Sequence, residues 1–315
     1  MTGITKRIDA VTEIQEEYRK EIIPAPRSVK IEITSKCNFY CSFCSHWLNQ
    51  KKPMEMELNF FKKIVQDMRF SGVEELGLFY IGESFMCNWL PDAVRYAKSL
   101  GFPYVFLTTN GSLASEDRVN SVMEAGLDSL KFSLNNADKW QFRQVTGMAP
   151  SVFDTVTGNV KRAHKIREKN GFKTRLYASS IKYDGAQQAT MQAYVDEIKP
   201  YVDEHYWLPL LSFGDQATRK EVELGLSPVV GNPGRLETMR APLPCWAVFK
   251  EGHITSEGLL SACCFDSSLS WIMADLNQVS FMDGWNSEKF RALRRAHLNK
   301  DVHGTACEGC IYGNR

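Results

Sequence analysis

Val29-Lys30-Ile31-Glu32-Ile33-Thr34-Ser35-Lys36-Cys37-Asn38-Phe39-Tyr40-Cys41-Ser42-Phe43-Cys44 is the stretch from which this chain is read. An apolar run of β character leads directly into three cysteines at C-x3-C-x2-C spacing. A thiolate is a soft ligand, and three on one short loop can face one metal centre. Four protein ligands close a site, as in structural zinc or an ordinary iron–sulfur cluster. Three leave one iron of a cubane open to a ligand from outside the chain. The flanking Phe39, Tyr40 and Phe43 are expected to shield such a cluster from water. A zinc knuckle and a fortuitous group of buried cysteines are the alternatives.

Moving outward, the 315 residues suffice for one large barrel or two domains, and 43% hydrophobic with 24% charged residues is ordinary for a globular protein. A net charge of +1 gives no electrostatic case for nucleic acid or an anionic membrane as partner. No apolar run approaches the length of a bilayer span, and Met1 to Ala10 lacks a signal-peptide core. Nine cysteines without a secretory signal point to a reducing compartment and to metal ligation rather than disulfides. The expectation is a cytoplasmic, oxygen-sensitive metalloprotein.

Strands and helices alternate along the chain. Residues 9–21, with Val11, Ile14 and Tyr18, are expected to form an amphipathic helix capping the core. Strands are expected at 29–34, 76–81, 104–108, 129–134, 173–180 and 205–211, with helices at 58–70, 89–100, 115–125, 153–168 and 189–198 between them. Such alternation means parallel βαβ units, compatible with an open barrel or a doubly wound sheet. Periodicity is lost from Ser212 to Pro244, so a boundary is placed near residue 235. The expected organisation is an N-terminal extension (1–28), an α/β unit (29–235) and a metal-binding C-terminal unit (236–315).

The cysteine loop resembles the signature of the radical S-adenosylmethionine (SAM) enzymes. The resemblance implies a partial (β/α)6 TIM-like barrel with its chemistry at the C-terminal strand ends. It also implies a 4Fe–4S cluster on Cys37, Cys41 and Cys44, whose open iron is chelated by SAM and which yields a 5′-deoxyadenosyl radical. Gly82-Glu83-Ser84 resembles the family's Gly-Gly-Glu-Pro segment, with Ile81 and Ser84 as departures, and makes Glu83 the acceptor for the SAM ammonium. Thr108-Thr109-Asn110-Gly111 resembles the family's Thr-Asn-Gly turn. Ser133-Leu134-Asn135 resembles its Ser-Leu-Asp segment, which places Ser133 at the SAM ribose or carboxylate. Arg143 lies in a stretch whose arginine pairs with the SAM carboxylate, a task suited to its planar fork; a solvated helix charge is the other reading.

Five further cysteines crowd the C-terminal region. Ala247 to Ile254 and Leu259 to Ala262 flank Ser256-Glu257-Gly258 as a hairpin, a helix follows from Glu288 to His297, and Cys307-Glu308-Gly309-Cys310 ends as a C-x2-C pair. Four soft ligands can close an S4 site for zinc or an iron–sulfur cluster. The region resembles the auxiliary-cluster domain of SPASM and twitch radical SAM enzymes, in its shorter one-cluster form. The expected ligands of this auxiliary 4Fe–4S cluster are Cys245, Cys263, Cys307 and Cys310. Cys263 and Cys264 adjoin on an expected strand and face opposite ways, so only one should ligate. Cys87 is read as a small buried hydrophobe.

Size and layout resemble enzymes of the 2-deoxy-scyllo-inosamine dehydrogenase type. They imply oxidation of a secondary alcohol on a sugar, cyclitol or aminoglycoside, with a flavodoxin- or ferredoxin-type reductant. The 36 residues before Cys37 leave little room for a peptide-recognition domain. Alternatives are an epimerase with Cys264 or Cys87 as hydrogen donor, a peptide-modifying, dehydratase or decarboxylase radical SAM enzyme, and a non-enzymatic electron carrier. Tyr177, Tyr206, Trp207, Ser212, Arg175 and His205 mark the expected substrate end without an assigned role.

Overall fold

Parallel strands, the first five each followed by a helix, form the body of the protein. The structure, a computed structural model, describes residues 3–44, 46, 52–185, 187–211, 228–266 and 271–312. Strands β1 (Ser28–Ile31), β2 (Glu75–Gly77), β3 (Tyr104–Thr109), β4 (Ser129–Ser133), β5 (Arg175–Ile181) and β6 (Glu204–Leu208) pair in parallel in chain order. Ser28 sits beside Glu75, Leu76 beside Val105, and Ser129 beside Arg175. Helix α1 (Ile4–Thr12) precedes them; α2 (Leu58–Phe70), α3 (Leu90–Ser99), α4 (Glu116–Glu124), α5 (Lys139–Thr146), α6 (Ser151–Asn170) and α7 (Gln187–Ile198) follow in turn. The apolar stripe of α2 (Phe61, Ile64, Val65, Met68) is buried, and Glu57 caps its start by accepting from the Phe60 amide.

The sheet continues past the barrel. β7 (Glu251–Ile254) pairs in parallel with β1, Ser28 beside Glu251, and β8 (Leu259–Ser261) and β9 (Ile272–Asp275) add on antiparallel. The nine-stranded order β6-β5-β4-β3-β2-β1-β7-β8-β9 does not close on itself, as a partial barrel requires. Along the strands, Val29, Ile31, Leu130 and Phe132 are buried against the helices. The alternate residues Lys30 and Lys131 face the lumen.

Several expected elements change. The N-terminal helix is Ile4–Thr12, not 9–21, because the stripe that meets the barrel is Ile4, Ile8 and Val11; only a short turn, Glu16–Tyr18, follows. Ala247–Lys250 is a helical turn rather than strand: its four residues are all buried, with no alternation to lay one face on a sheet. β8 ends at Ser261, so Cys263 and Cys264 lie in the turn beyond it, and strand alternation does not orient them. Helix α5, strand β9 and the helix Phe281–Trp285 were not anticipated; each is short and gains its stability from tertiary packing. Among the described residues, no helix is long and apolar enough to cross a membrane.

Candidate active site

The cysteine loop leaves the C-terminal end of β1 and is held from three sides. The Tyr40 and Ser42 amides donate to the carbonyls of Thr146 (3.0 Å) and Val145 (2.8 Å) at the end of α5. Asn38 donates to Ser112 Oγ (2.9 Å) and accepts from Asn110 Nδ2 (3.0 Å), which ties the loop to the turn after β3. From the end of β2, the Glu83 amide donates to the Lys36 carbonyl (2.8 Å).

Glu83 is buried and organises this end of the barrel. One carboxylate oxygen accepts from Thr109 Oγ1 (2.8 Å) and the Phe85 amide (3.1 Å), the other from the Asn110 amide (2.8 Å). Burial pushes its carboxyl above the usual range, while these donors pull the other way. A carboxylate has room for about four such bonds, and three are filled here. Ser133 lies half-buried at the end of β4, and Arg143 is exposed on α5, close in sequence to the carbonyls that hold the loop. Of the expected shielding aromatics, Phe39 is buried and meets Phe142 edge-on at 5.5 Å, and Phe43 is half-buried. Tyr40 does not shield: it is 69% exposed, because its amide is tied to α5 with the ring directed outward.

Cys37, Cys41 and Cys44 lie close enough to feel one another's charge. Burial raises all three thiols, Cys37 to about 11. A second set gathers beyond β8. Because β8 runs back along β7, with Ser261 opposite His253, Cys263 and Cys264 emerge toward the start of β7. Cys263 lies within reach of the like charges of Cys264, Cys307 and Cys245, and Cys264 of those of Cys245 and Cys310. Burial raises these thiols as well, Cys245 and Cys264 to about 12. His297 accepts the Cys245 amide through Nδ1 (3.1 Å). Among the described residues, no three His, Cys, Asp or Glu stand at the spacing of one bare ion. The fit to clusters therefore rests on donor chemistry and convergence: soft thiols, half-buried in the loop and buried at Cys245 and Cys307, that a metal must deprotonate on binding.

The barrel lumen holds a cavity of about 250 Å³ that Cys264 of the second set reaches. α1 floors it with Arg7, which pairs with Glu75 (2.6 Å) and lies 3.3 Å from the Tyr104 ring centre. Its wall carries Lys30, Lys131, Glu251, Tyr206 and Cys264. Lys30 Nζ is 2.8 Å from Glu251, and Glu251 is 3.0 Å from His253 Nε2, a contact whose angle falls outside hydrogen-bond geometry. Burial would raise Glu251, but Lys30 chiefly, and His253, bring it to about 2. The His253 ring lies 5.4 Å from that of Tyr80, whose hydroxyl donates to the Cys263 carbonyl (2.8 Å) and so joins the barrel to the second thiol set. Of the residues marked for the substrate end, Tyr206 lines the cavity. His205 instead meets Ser180 (3.0 Å), Arg175 pairs with Asp203 (3.4 Å), Tyr177 is buried, Trp207 is half-buried, and Ser212 lies outside the described residues. Cys87 is 4% exposed in the core. The lumen lysines were missed, although a lysine between two apolar residues at a strand centre is itself a signal of an inward polar position.

An open parallel barrel with thiols at its strand ends, extended by a thiol-bearing hairpin, defines an iron–sulfur barrel enzyme. Residues 31–206 match the model of the Radical SAM superfamily, and residues 245–311 match SPASM, an iron–sulfur cluster-binding domain. The chain belongs to the radical SAM superfamily and carries a SPASM domain. It is a radical SAM enzyme whose cofactors are SAM, the cluster that binds it, and auxiliary iron–sulfur. Among curated proteins it is 28% identical over 154 residues to a probable GTP 3′,8-cyclase of Methanococcus maripaludis, covering 49% of each chain. It is 29% identical over 144 residues to the tungsten-containing aldehyde ferredoxin oxidoreductase cofactor-modifying protein of Pyrococcus furiosus, covering 45% of this chain and 39% of the other. The chain thus spans about half or less of these relatives. Among solved structures, Streptococcus suis SuiB bound to precursor peptide SuiA aligns at TM-score 0.67 and 15% identity, covering 90% of this chain and 72% of that one. BtrN in complex with AdoMet and 2-DOIA aligns at 0.54 and 15%, covering 86% and 87%. At such identities the likeness is one of fold.

Proposed function

We propose that the chain is a radical SAM oxidoreductase that oxidises a secondary alcohol of a polar small molecule (a sugar, cyclitol or aminoglycoside) to a ketone. The observation that carries this reading is the barrel lumen, a largely apolar cavity reached by Cys264, on whose wall Lys30, Lys131, Glu251 and Tyr206 supply a few polar groups. Its volume of about 250 Å³ suits a single-ring molecule. BtrN, of similar extent, is described with a small molecule beside AdoMet, which supports the same reading.

In this reading Cys37, Cys41 and Cys44 hold the SAM-binding cluster, and Cys245, Cys263, Cys307 and Cys310 hold the auxiliary 4Fe–4S cluster. When bound, these groups supply hydrogen-atom abstraction at the alcohol carbon and an acceptor for the remaining electron. The chain's own residues orient and enclose. Glu83 locks the β3 turn to the end of β2 and offers its free lone pair to the SAM ammonium; Ser133 and Arg143 serve the SAM ribose and carboxylate. The Lys30–Glu251 pair stays ionised and presents a fixed donor and acceptor to substrate hydroxyls. A flavodoxin- or ferredoxin-type protein is the reductant.

Anaerobic reconstitution followed by assay against polyols and aminoglycosides tests this. About eight irons per chain are expected, with one SAM consumed for each product lighter by two hydrogens. About four irons with one zinc would remove the acceptor and the proposal with it.

Cys264 on the cavity wall favours one second reading, an epimerase that returns a hydrogen atom from a thiol. Cys264→Ala separates the two. The oxidoreductase should keep most of its turnover, within about fivefold, because losing one sulfur atom from the cavity wall costs less than about 1 kcal/mol here. Loss of turnover, with solvent deuterium incorporated by the parent protein into a product of unchanged hydrogen count, would establish the epimerase.

A further inference from the structure

Charges on the cavity wall do not cancel. Its ionisable carboxylates and strong cations are Arg7, Lys30, Lys131, Glu75 and Glu251. Arg7 is answered by Glu75 (2.6 Å), which Arg27 from outside the wall also reaches (2.7 Å), and Lys30 by Glu251 (2.8 Å). Lys131 is left over: among the described residues, none accepts a hydrogen bond from it or pairs with it. Its Nζ lies 5.7 Å from the centre of the Tyr206 ring, a cation–π contact weaker than an ion pair. Its place is not incidental. Leu130 and Phe132 on either side are buried against the helices, so β4 alternation commits Lys131 to the lumen. Burial first, then the like charge of Lys30, lower its amine to about 7, with Glu251 opposing. Lys131 is half-buried on the cavity wall, and an anion bound beside it would supply the counter-ion that the wall lacks.

We propose that Lys131 is a specificity-determining residue that pairs with a carboxylate on the substrate, so that the polyol is a hydroxylated acid. One unanswered positive charge matches one negative charge. A phosphate monoester brings nearly two at neutral pH, and an aminoglycoside brings charge of the wrong sign. The inference narrows the alcohol-oxidation reading and rests on it for the reacting hydroxyl only.

The test is equilibrium binding by calorimetry to the anaerobically reconstituted protein with SAM. The probes are D-gluconate, D-glucuronate and quinate, against D-glucose, D-glucosamine and D-glucose 6-phosphate. At least one acid should bind more tightly than every non-acid. Lys131→Met should weaken that acid about thirtyfold or more, the effect of removing one partner of an enclosed charge pair. Lys131→Arg should restore most of the affinity. Iron content equal to the parent's shows that the variants fold. The proposal is overturned if glucose or glucosamine binds as well as the acids, if the phosphate ester binds best, if Lys131→Met binds the acid unchanged, or if no acid binds at tens of millimolar. Because binding needs no turnover, an acid held through Lys131 but not oxidised would defeat the alcohol-oxidation reading alone. A neutral alcohol oxidised equally by the parent and Lys131→Met would defeat only the acid.

Discussion

Gly82→Ala is expected to strip the cysteine loop of its cluster while leaving the auxiliary cluster in place. A Cβ at this position would lie 2.1 Å from the Thr34 carbonyl oxygen and 2.8 Å from that of Lys36. Both obstacles are backbone, so no side chain can swing aside. Either the Gly82–Glu83 turn or the segment leading into Cys37 must move, at a cost of about 3 kcal/mol. The Glu83 amide would then lose the Lys36 carbonyl (2.8 Å), and Glu83 would pull the Thr109–Asn110 turn with it. Iron should fall from about eight to about four per chain, and SAM cleavage should vanish. Gly158→Ala is the control. It sits in α6, where the new methyl meets only the flexible end of Arg162 at 3.1 Å; the change should be neutral or stabilise by up to about 1 kcal/mol. A Gly82→Ala protein with full iron and normal SAM cleavage would show that the turn does not position the loop.

Much of this could be read before the fold was known. Helix α2 coincides with its expected span, because Phe61, Ile64, Val65 and Met68 form a clean stripe and Glu57 marks the start. The cysteine spacing and the βα alternation led to the radical SAM partial barrel, which the family match and the parallel sheet bear out. What escaped was set by distant partners. Nothing local says that Glu251 pairs beside Ser28 and so extends the barrel sheet, since β7 is only four residues long. Helix α5 is short and has a modest apolar face, and its importance lies in two carbonyls that hold the cysteine loop. The adjacency of Cys263 and Cys264 invited a strand argument that fails, because β8 stops at Ser261. The reaction itself is the least legible level: one relative is named a probable GTP 3′,8-cyclase and one protein of like fold is bound to a precursor peptide, so the fold does not name the substrate.

Arg294→Met should produce the complementary defect, loss of auxiliary iron with the SAM-binding cluster retained. Arg294 is fully buried in the helix Glu288–Leu298. Its guanidinium donates to the carbonyls of Val248 (3.1 Å), Glu21 (3.0 Å) and Trp285 (2.7 Å) and to Asn286 Oδ1 (3.0 Å). It also lies against the Trp285 and Phe290 rings, 4.5 and 5.0 Å from their centres. One side chain thus fastens the chain entering β1, the turn Ala247–Lys250 and the helix Phe281–Trp285 to one another. Methionine fills much of the volume but leaves buried carbonyls without donors, so a cost of about 3–5 kcal/mol is expected. For a chain of this size that is a fall in melting temperature of about 5–8 °C. Lysine should rescue little, because one ammonium cannot reproduce a planar fork that reaches four acceptors. The damage should be local. Val248 lies three residues beyond Cys245, and His297, one turn from Arg294, accepts the Cys245 amide. Loosening this joint displaces the second thiol set, whereas the cysteine loop is fastened by α5 and by the β2 and β3 turns at the other end of the barrel. Iron should again fall to about four per chain, but here the reduced protein should still cleave SAM while product formation stops. A variant that melts within about 2 °C of the parent, or that loses both clusters together, would show that the two ends of the barrel are not fastened independently.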